Sequence, residues 1–223
     1  MPAGLQIWND AGTVLIDDTH ANLAVAARGV VATSAAGMGV YQIGSRAVVS
    51  YTGDTRATPL IAFACPAGFV GVYLSSLSGS TYTWRFITEQ PAGTEIKYWV
   101  FDRAPASSGS YGFQVFDAAG NLTFDASRQQ ARIVGITGGI FEIPAGRIYA
   151  VAVQRIGYAV RVYPASEGGR TFEYDIDVGA AHVQSGRIVV GEVGASSQIV
   201  QGTRPGFESM YPMAWIVLDV TGM

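Results

Sequence analysis

The side chains that could do acid–base or nucleophilic chemistry are few and far apart in this sequence. There are two histidines, His20 and His182, one in each half of the chain, and a single cysteine, Cys65. A nucleophile–histidine–acid triad would need one of these histidines in a pocket beside its partners. We therefore predict that the protein is not an enzyme and has no catalytic residue, and that Cys65, which follows an apolar Ala-Phe-Ala segment, is a buried core residue.

The most regular acidic pattern consists of Glu173, Asp175 and Asp177, which alternate with aromatic and apolar residues. Residues spaced by two point to the same face of a β-strand, so these carboxylates should lie in a row along one strand. Glycosidases hold two carboxylates on opposite sides of a cleft, and a row along one strand does not do this. The pattern predicts a solvent-facing strand, with a calcium or saccharide site as the alternative interpretation.

A second polar cluster, Asp17-Asp18-Thr19-His20, is typical of a solvated turn, with a cation site as the alternative. No phosphate-binding loop, zinc-binding motif or EF-hand pattern is present. The sequence therefore predicts neither a cofactor nor a metal.

The surface of this protein must be poor in charge. Charged residues make up 14% of the chain and the net charge is −3, whereas about 25% is usual for soluble domains. The basic residues are scattered singly, which disfavours nucleic-acid binding. No stretch approaches about 20 apolar residues, so no membrane insertion is predicted, and the N-terminus lacks the features of a signal peptide. A large uncharged surface is typical of a protein whose surface is covered by partners in an assembly.

Glycine-rich turns divide the chain into short runs rich in β-branched and aromatic residues, a pattern typical of an antiparallel β-sandwich with little helix. One stretch, Asp18–Arg28, is helix-like in composition. The predicted strands are Leu5–Trp8, Val14–Ile16, Ala47–Tyr51, Phe69–Leu74, Thr81–Ile87, Glu95–Phe101, Phe113–Phe116, Ile148–Gln154, Ala159–Tyr163, Thr171–Val178, Arg187–Val193 and Ala214–Val220.

An internal repeat is the main organising feature, because the segment Gly4–Thr19 recurs without a gap at Gly112–Ser127. Each copy has the pattern of a β-hairpin, with a type I turn closed by a glycine at positive φ and an aspartate that caps turn amides at the end of the second strand. The positions that define the repeat are Gly4, Gln6, Trp8, Gly12 and Asp17 in the first copy, and Gly112, Gln114, Phe116, Gly120 and Asp125 in the second.

The ends of the two copies also agree, since Tyr98–Asp102 and Ala214–Asp219 are both short apolar runs that contain a tryptophan and end in aspartate. The sequence thus predicts two tandem β-sandwich-like domains. Domain 1 comprises residues 1–103, a Pro/Ser/Gly-rich linker spans residues 104–111, and domain 2 comprises residues 112–223.

The opening hairpin, with Gly4, Leu5, Gln6, Ile7, Trp8, Asn9, Gly12 and Asp17, resembles the N-terminus of small tail proteins of long-tailed bacteriophages. The second hairpin repeats this pattern at Gly112, Gln114, Val115, Phe116, Asp117, Gly120 and Asp125. The resemblance covers about 16 residues in each copy, and the tandem duplication departs from the single copy of that family.

The resemblance implies a virion component of the tail tip, baseplate or tail fibre, made in the cytoplasm of the bacterial host. Its partners would be other phage tail proteins and further copies of itself, with a trimer favoured, and its loops could attach to a glycan or receptor on the host surface. The alternative function is a stand-alone carbohydrate-binding β-sandwich module, because a β scaffold rich in Tyr and Trp suits sugar recognition.

Overall fold

The computed structural model describes residues 6–8, 10, 14–17, 21–35, 44–53, 58–103, 112–164, 171–201, 209–210 and 212–223. All the regular elements in these ranges are β-strands, and all their pairings are antiparallel, which confirms the predicted all-β, sandwich-like fold. The strands in chain order are β1 (Gln6–Trp8), β2 (Val14–Asp17), β3 (Leu23–Ala32), β4 (Ser34–Ala35), β5 (Ser45–Thr52), β6 (Leu60–Ala64), β7 (Val70–Ser78), β8 (Thr81–Thr88), β9 (Glu95–Arg103), β10 (Gln114–Phe116), β11 (Leu122–Asp125), β12 (Ile133–Thr137), β13 (Phe141–Glu142), β14 (Tyr149–Arg155), β15 (Tyr158–Pro164), β16 (Thr171–Gln184), β17 (Arg187–Gln201), β18 (Ser209–Met210) and β19 (Ala214–Asp219).

The two repeated segments form hairpins of the same geometry, β1–β2 and β10–β11. Gln6 lies opposite Asp17 in the first hairpin, as Gln114 lies opposite Asp125 in the second. Both pairings also shift register at the same place, before the last residue of the first strand. A β-bulge at the same position in each hairpin supports the repeat at the level of backbone structure.

A six-stranded sheet runs in the order β12-β19-β14-β6-β9-β3. The central strand β6 is buried on both faces: Ile61 and Phe63 belong to one core, whereas Ala62 and Ala64 belong to another. A strand buried on both faces has no polar side to alternate with, which explains its continuous apolar sequence.

The six-stranded sheet closes on itself only over the first residues of β3, because β12 itself pairs with no described strand except β19. The segment that leads into β12, at one end of the sheet, hydrogen bonds with β3 at the other end, because the amide of Val25 donates to Gln129 O at 2.8 Å and that of Ala131 donates to Leu23 O at 2.8 Å. Ala24 and Gln130 form an antiparallel bridge between these two bonds. The inward face of the closed sheet encloses a compact core that contains four small residues. Its buried members are Ala62, Ala64, Trp99, Phe101, Ala150, Ala152, Leu218 and Val220.

The second sheet, in the order β13-β17-β16-β7-β8-β5-β4, packs against the outer face of the first. Aromatic rings fill the space between the sheets: Phe63 makes edge-to-face contacts with Phe86 and Trp215, at centroid distances of 5.2 and 5.7 Å. Beyond this core, the outer halves of β16 and β17 continue together with β15. We call this three-stranded extension the arm; it comprises Tyr158–Pro164 of β15, residues 171–178 of β16 and residues 193–201 of β17.

The strand order relates the two halves of the chain by an approximate two-fold axis. In the first sheet β3, β9 and β6 correspond to β12, β19 and β14, and in the second sheet β5, β8 and β7 correspond to β13, β17 and β16. Equivalent strands pair with each other across the axis, β6 with β14 and β7 with β16. The predicted domains 1–103 and 112–223 therefore do not form two separate sandwiches with separate cores, because both sheets run through from one half to the other. The predicted linker 104–111 lies outside the described residues.

The structure differs from the sequence-based predictions in two individual strands. The helix-like stretch Asp18–Arg28 is not helical where the structure describes it, since β3 begins at Leu23 and pairs with β9. The run that ends each half is a strand, as predicted, but the two tryptophans in these runs are not equivalent. Trp99 lies in the core of the closed sheet and Trp215 lies between the sheets, because the equivalent buried aspartates Asp102 and Asp219 follow them at different spacings.

Candidate functional site

Asp125, at the end of the second hairpin, is completely buried and accepts hydrogen bonds from three groups. Its carboxylate receives the hydroxyl of Ser127 at 2.6 Å, the amide of Ser127 at 2.9 Å and the side-chain amide of Gln114 at 3.1 Å. The hydrogen bond from the Ser127 side chain is the largest influence on the pKa of Asp125, and despite burial the pKa lies below its ordinary value. Asp125 therefore caps the turn, as predicted, and has a structural role.

The turn of the same hairpin is closed by a second aspartate. Asp117 accepts the backbone amides of Ala119 and Asn121 at 2.9 and 2.7 Å, and the Asn121 side chain at 2.8 Å. Gly120 follows with φ of 82°, as the predicted turn requires. Gly112 also has a positive φ, 130°, just before the hairpin begins.

The aromatic position of the repeat is not a core position in the second hairpin. Phe116 is 50% exposed, and Phe113 is 47% exposed with its ring tilted against Phe124. The short hairpin has one face without a covering layer, so the side chain of Phe116 remains in solvent. In the first copy, Gly4, Gly12 and the side chains of Trp8 and Asp17 lie outside the described residues, while Gln6 is exposed.

The two histidines are not brought into a described pocket with a nucleophile. His20 lies outside the described residues. His182 Nε2 lies 3.0 Å from the carbonyl oxygen of Pro66, and its Nδ1 lies 2.9 Å from the side-chain amide nitrogen of Gln184. Since a carbonyl oxygen only accepts, Nε2 carries the proton and Nδ1 accepts. His182 thus ties β16 to the loop after β6, and Cys65 beside that loop is buried, as predicted.

The acidic row predicted from the sequence lies on one face of the arm. In the pairing of β15 with β16, Arg161 lies opposite Asp175 and Tyr163 lies opposite Glu173. On the other side of β16, Glu173 lies opposite Ile199, and its carboxylate accepts the Ser197 hydroxyl at 2.9 Å. The arm therefore presents carboxylates, one arginine and an aromatic ring on a single face, which we call the polar face of the arm.

Arg161 is held in place by two carboxylates at the base of the polar face. It forms ion pairs with Asp177 and with Glu192, the latter at 2.5 Å. The hydrogen bond to Glu192 raises the pKa of Arg161, so the guanidinium is permanently charged. Asp177 is therefore not the free, solvated carboxylate that the sequence pattern predicts, because the arginine one strand away neutralises it.

Nearer the tip of the arm, the polar face has groups that can contact a ligand. Tyr163 is 46% exposed and Ile199 is 53% exposed, and Glu173 is also exposed. One carboxylate oxygen of Asp175 is shielded from solvent and accepts no hydrogen bond from the described residues. A ring for stacking beside hydrogen-bond acceptors is the combination that recognises sugars and other hydroxyl-rich ligands. The carboxylates that sequence analysis identified lie here, but Tyr163 and Arg161 come from β15 and could not be assigned to them without the strand pairing.

A cleft of about 460 Å³ opens beside the start of β6 and the end of β14, where the two halves meet. Its lining is mainly apolar and includes Leu60, Trp84, Ile133 and Ile156, and its polar members are Thr58, Ser75 and Gln154. The volume is within the range of small-molecule sites, but none of the described residues that line it is titratable. No sequence pattern predicts this cleft, because its walls come from seven separate strands and their connections.

Asp219, at the end of β19, is a buried carboxylate that sequence analysis did not single out. Burial acts to raise its pKa, but hydrogen bonds from Thr221 and from the arginine side chain of Arg147, with the charge of Arg132, outweigh burial and lower the pKa to about 2. The Arg147 ion pair measures 2.5 Å and the Arg132 ion pair 3.4 Å. This cluster fastens the C-terminus to the starts of β12 and β14, so its role is structural.

Within the described ranges, no three His, Cys, Asp or Glu side chains come together in a way that could hold a metal ion. The same residues contain no helix that is long and apolar enough to cross a membrane.

In comparisons with known proteins, no protein-family model, no curated protein and no solved structure matches the chain.

Proposed function

We propose that this chain is a structural component of the tail of a long-tailed bacteriophage, located at the tail tip, baseplate or tail fibre. The observation that carries the proposal is the pair of hairpins, whose sequence resembles the opening of small tail proteins and whose two copies share register and bulge position. The low charge supports it as well, since 14% charged residues leave much surface for burial against other tail proteins. The protein would act by assembly and not as an enzyme.

In this function the arm is the part that touches the host surface. Its polar face offers Tyr163 and Glu173 to a hydroxyl-rich ligand such as a cell-surface glycan. The arm extends beyond the core shared by the two sheets, as β15 pairs only with β16 and the two-residue strand β18 among the described strands. An extension with few neighbours can contact a receptor while the rest of the protein remains in the particle.

Immunogold electron microscopy of purified virions, with an antibody raised against this chain, tests the proposal directly. We expect gold particles at the distal end of the tail. Gold on the capsid, or virions without label although the antibody detects the protein in infected cells, would contradict a role in the tail.

A stand-alone carbohydrate-binding module is the second candidate, and the same arrangement of Tyr163 beside Glu173 favours it. The two functions differ in what the free protein does. A module that acts alone should remain monomeric and should bind a glycan from an array of bacterial surface polysaccharides. A virion component should be recovered from purified particles whether or not it binds a glycan.

A further inference from the structure

Strand β12 is the outermost strand at one end of the six-stranded sheet, and its free edge is unusual in composition. No charged residue occurs between Ile133 and Phe141. Four large apolar side chains in or just after the strand are exposed by 46% to 64%: Ile133, Val134, Ile136 and Ile140. Among the described strands, only β19 pairs with β12. An exposed, apolar and uncharged edge is a template for another strand.

The other ends of the two sheets are protected in ways that β12 is not. The second sheet ends in β13 and β4, which are two residues long and offer little edge. Beyond β13, the outer edge of β17 forms hydrogen bonds at Val190, Gly194 and Ala195 with Gly139, Glu89 and Arg46. The first sheet ends in β3, which carries Arg28 and is covered at its beginning by Gln129–Ala131. Short edge strands and edge charges are the usual defences against unwanted pairing. β12, with five residues and no charge, has neither defence.

Because β3 and β12 are equivalent strands of the internal repeat, their edges can be compared residue by residue. Both strands shift register at the same point, before Ala27 in β3 and before Gly135 in β12. The next residues, Arg28 and Ile136, are therefore equivalent: they lie opposite Trp99 and Ile216, each three residues before the buried aspartate of its strand. One copy of the repeat carries a charge at this position of the edge, and the other copy carries an isoleucine.

We propose that β12 pairs antiparallel with β12 of a second copy of this chain, so that the six-stranded sheets of two copies become continuous. Two observations favour a second copy as the occupant. A two-fold pairing centred on Gly135 sets Val134 opposite Ile136 of the other copy, and the strand is then complementary to itself without any charge repulsion. The chain also already contains this kind of contact, since the equivalent strands β6 and β14 pair antiparallel at the internal axis.

A two-fold contact through β12 takes the place of the trimer expected from the phage resemblance. A ring of three copies needs two different complementary surfaces, so β12 would have to meet some other edge. Among the other long edges, β3 would bring Arg28 into the apolar contact with no described acidic partner on β12, and the outer edge of β17 is partly occupied, because Glu89 and Arg46 hydrogen bond with its backbone at Gly194 and Ala195. The inference does not depend on the proposed function, because it rests on the edge strands alone.

Analytical ultracentrifugation of the full chain between about 1 and 200 µM tests this inference in the range expected for a modest interface. We expect a reversible dimer of about 47 kDa, twice the 23.5 kDa of one chain. Ile136→Arg, which copies the charge of the first repeat, should shift the dissociation constant at least tenfold towards the monomer. Val48→Arg changes an equally exposed apolar residue on β5 and should leave the dimer unchanged.

Circular dichroism and thermal unfolding establish that both variants fold. If Ile136→Arg does not fold, the double variant Val134→Cys/Ile136→Cys decides, because the two-fold pairing predicts a disulfide-linked dimer on mild oxidation. A monomer at the highest concentration, a trimer, a dimer that Ile136→Arg leaves intact, or cysteines that do not cross-link would each overturn the proposal. Absence of the dimer leaves the tail assignment standing, since immunogold labelling tests that separately.

Discussion

Ala62 lies directly opposite Ala152 in the pairing of β6 with β14, and the two alanines occupy equivalent positions in the two repeats. The equivalence follows from the neighbouring strands, because Leu60 lies opposite Phe101 as Ala150 lies opposite Leu218. The approximate two-fold axis therefore passes through this alanine pair. Small side chains are suited to this place, since both methyl groups point into the confined core of the closed sheet.

The two halves also meet where β7 pairs with β16, and this pairing leaves no room for a side chain at Gly71. A Cβ atom on Gly71 would lie 2.9 Å from the backbone oxygen of Gly179, closer than real Cβ atoms approach. We expect Gly71→Ala to lower the free energy of unfolding by about 1–3 kcal/mol, as is usual for overpacking. Urea denaturation measures this, with Gly139→Ala as the control because nothing lies within 4 Å of its Cβ. Equal stability of the two variants would contradict the close contact of β7 with β16.

The hairpin of the second repeat predicts that Asp125 contributes more to stability than Asp117, although both cap amides. Asp125 is completely buried, so Asp125→Ala removes a carboxylate that accepts hydrogen bonds from Ser127 and Gln114 at a place that water reaches poorly. We expect a loss of about 2 kcal/mol in the free energy of unfolding for this variant. Asp117→Ala should cost clearly less, because water can replace its carboxylate at the turn. A smaller loss for Asp125→Ala than for Asp117→Ala in urea denaturation would be the contrary result.

The free energy of unfolding should depend on pH in the acid range because of Asp219. Its pKa of about 2 in the folded protein lies below the ordinary value of 3.8. A depressed pKa stabilises the fold above the unfolded-state pKa, and this stabilisation, about 2 kcal/mol, is lost as the pH falls from about 4 towards 2. Asp219→Asn should therefore be less stable than the wild type at pH 7, with the difference shrinking near pH 2. Unfolding curves at several pH values check this, and a difference that does not change with pH would contradict it.

If the polar face of the arm binds a glycan, substitution of the two exposed tyrosines of β15 should affect binding differently. Tyr163 lies opposite Glu173 on the polar face, whereas Tyr158 points to the other face of the same strand. If an array of bacterial surface polysaccharides yields a ligand, Tyr163→Ala should weaken its binding at least tenfold, as expected for loss of a stacking ring. Tyr158→Ala should bind as the wild type does. Calorimetric titration measures both, and equal losses in the two variants would place the ligand elsewhere.

The sequence allowed the strands with clear signals to be predicted, and the structure shows why others were missed. β16 was found because Phe172 to Val178 alternate in polarity, which a half-buried strand requires. β3 overlaps the helix-like stretch Asp18–Arg28, whose alanines are strong helix formers, but pairing with β9 overrides that preference. β6 was missed because it is buried on both faces and so shows no alternation.

The arrangement of the two halves could not be inferred from the repeat. The hairpins indicate a duplication, and a duplication is compatible with two separate sandwiches or with one shared structure. The contacts that decide between them, β6 with β14 and β7 with β16, join residues about 90 to 110 positions apart, and no local pattern specifies such pairs. For the same reason, the sequence located the acids of the arm but not Arg161 and Tyr163, which complete the polar face.

The central structural result is that the two repeats form one folding unit with two continuous sheets and a shared core. Incorporation of 5-fluorotryptophan labels all four tryptophans, of which Trp84 and Trp99 in the first half and Trp215 in the second lie in the two sheets, whereas Trp8 lies in the first hairpin. The native fluorine signals of the three tryptophans in the sheets, followed by NMR through a urea titration, should disappear with one common midpoint, because Phe63 of the first half packs directly on Trp215 of the second. A distinct midpoint for Trp215, with Trp84 and Trp99 still native, would show two independent domains and contradict the shared fold.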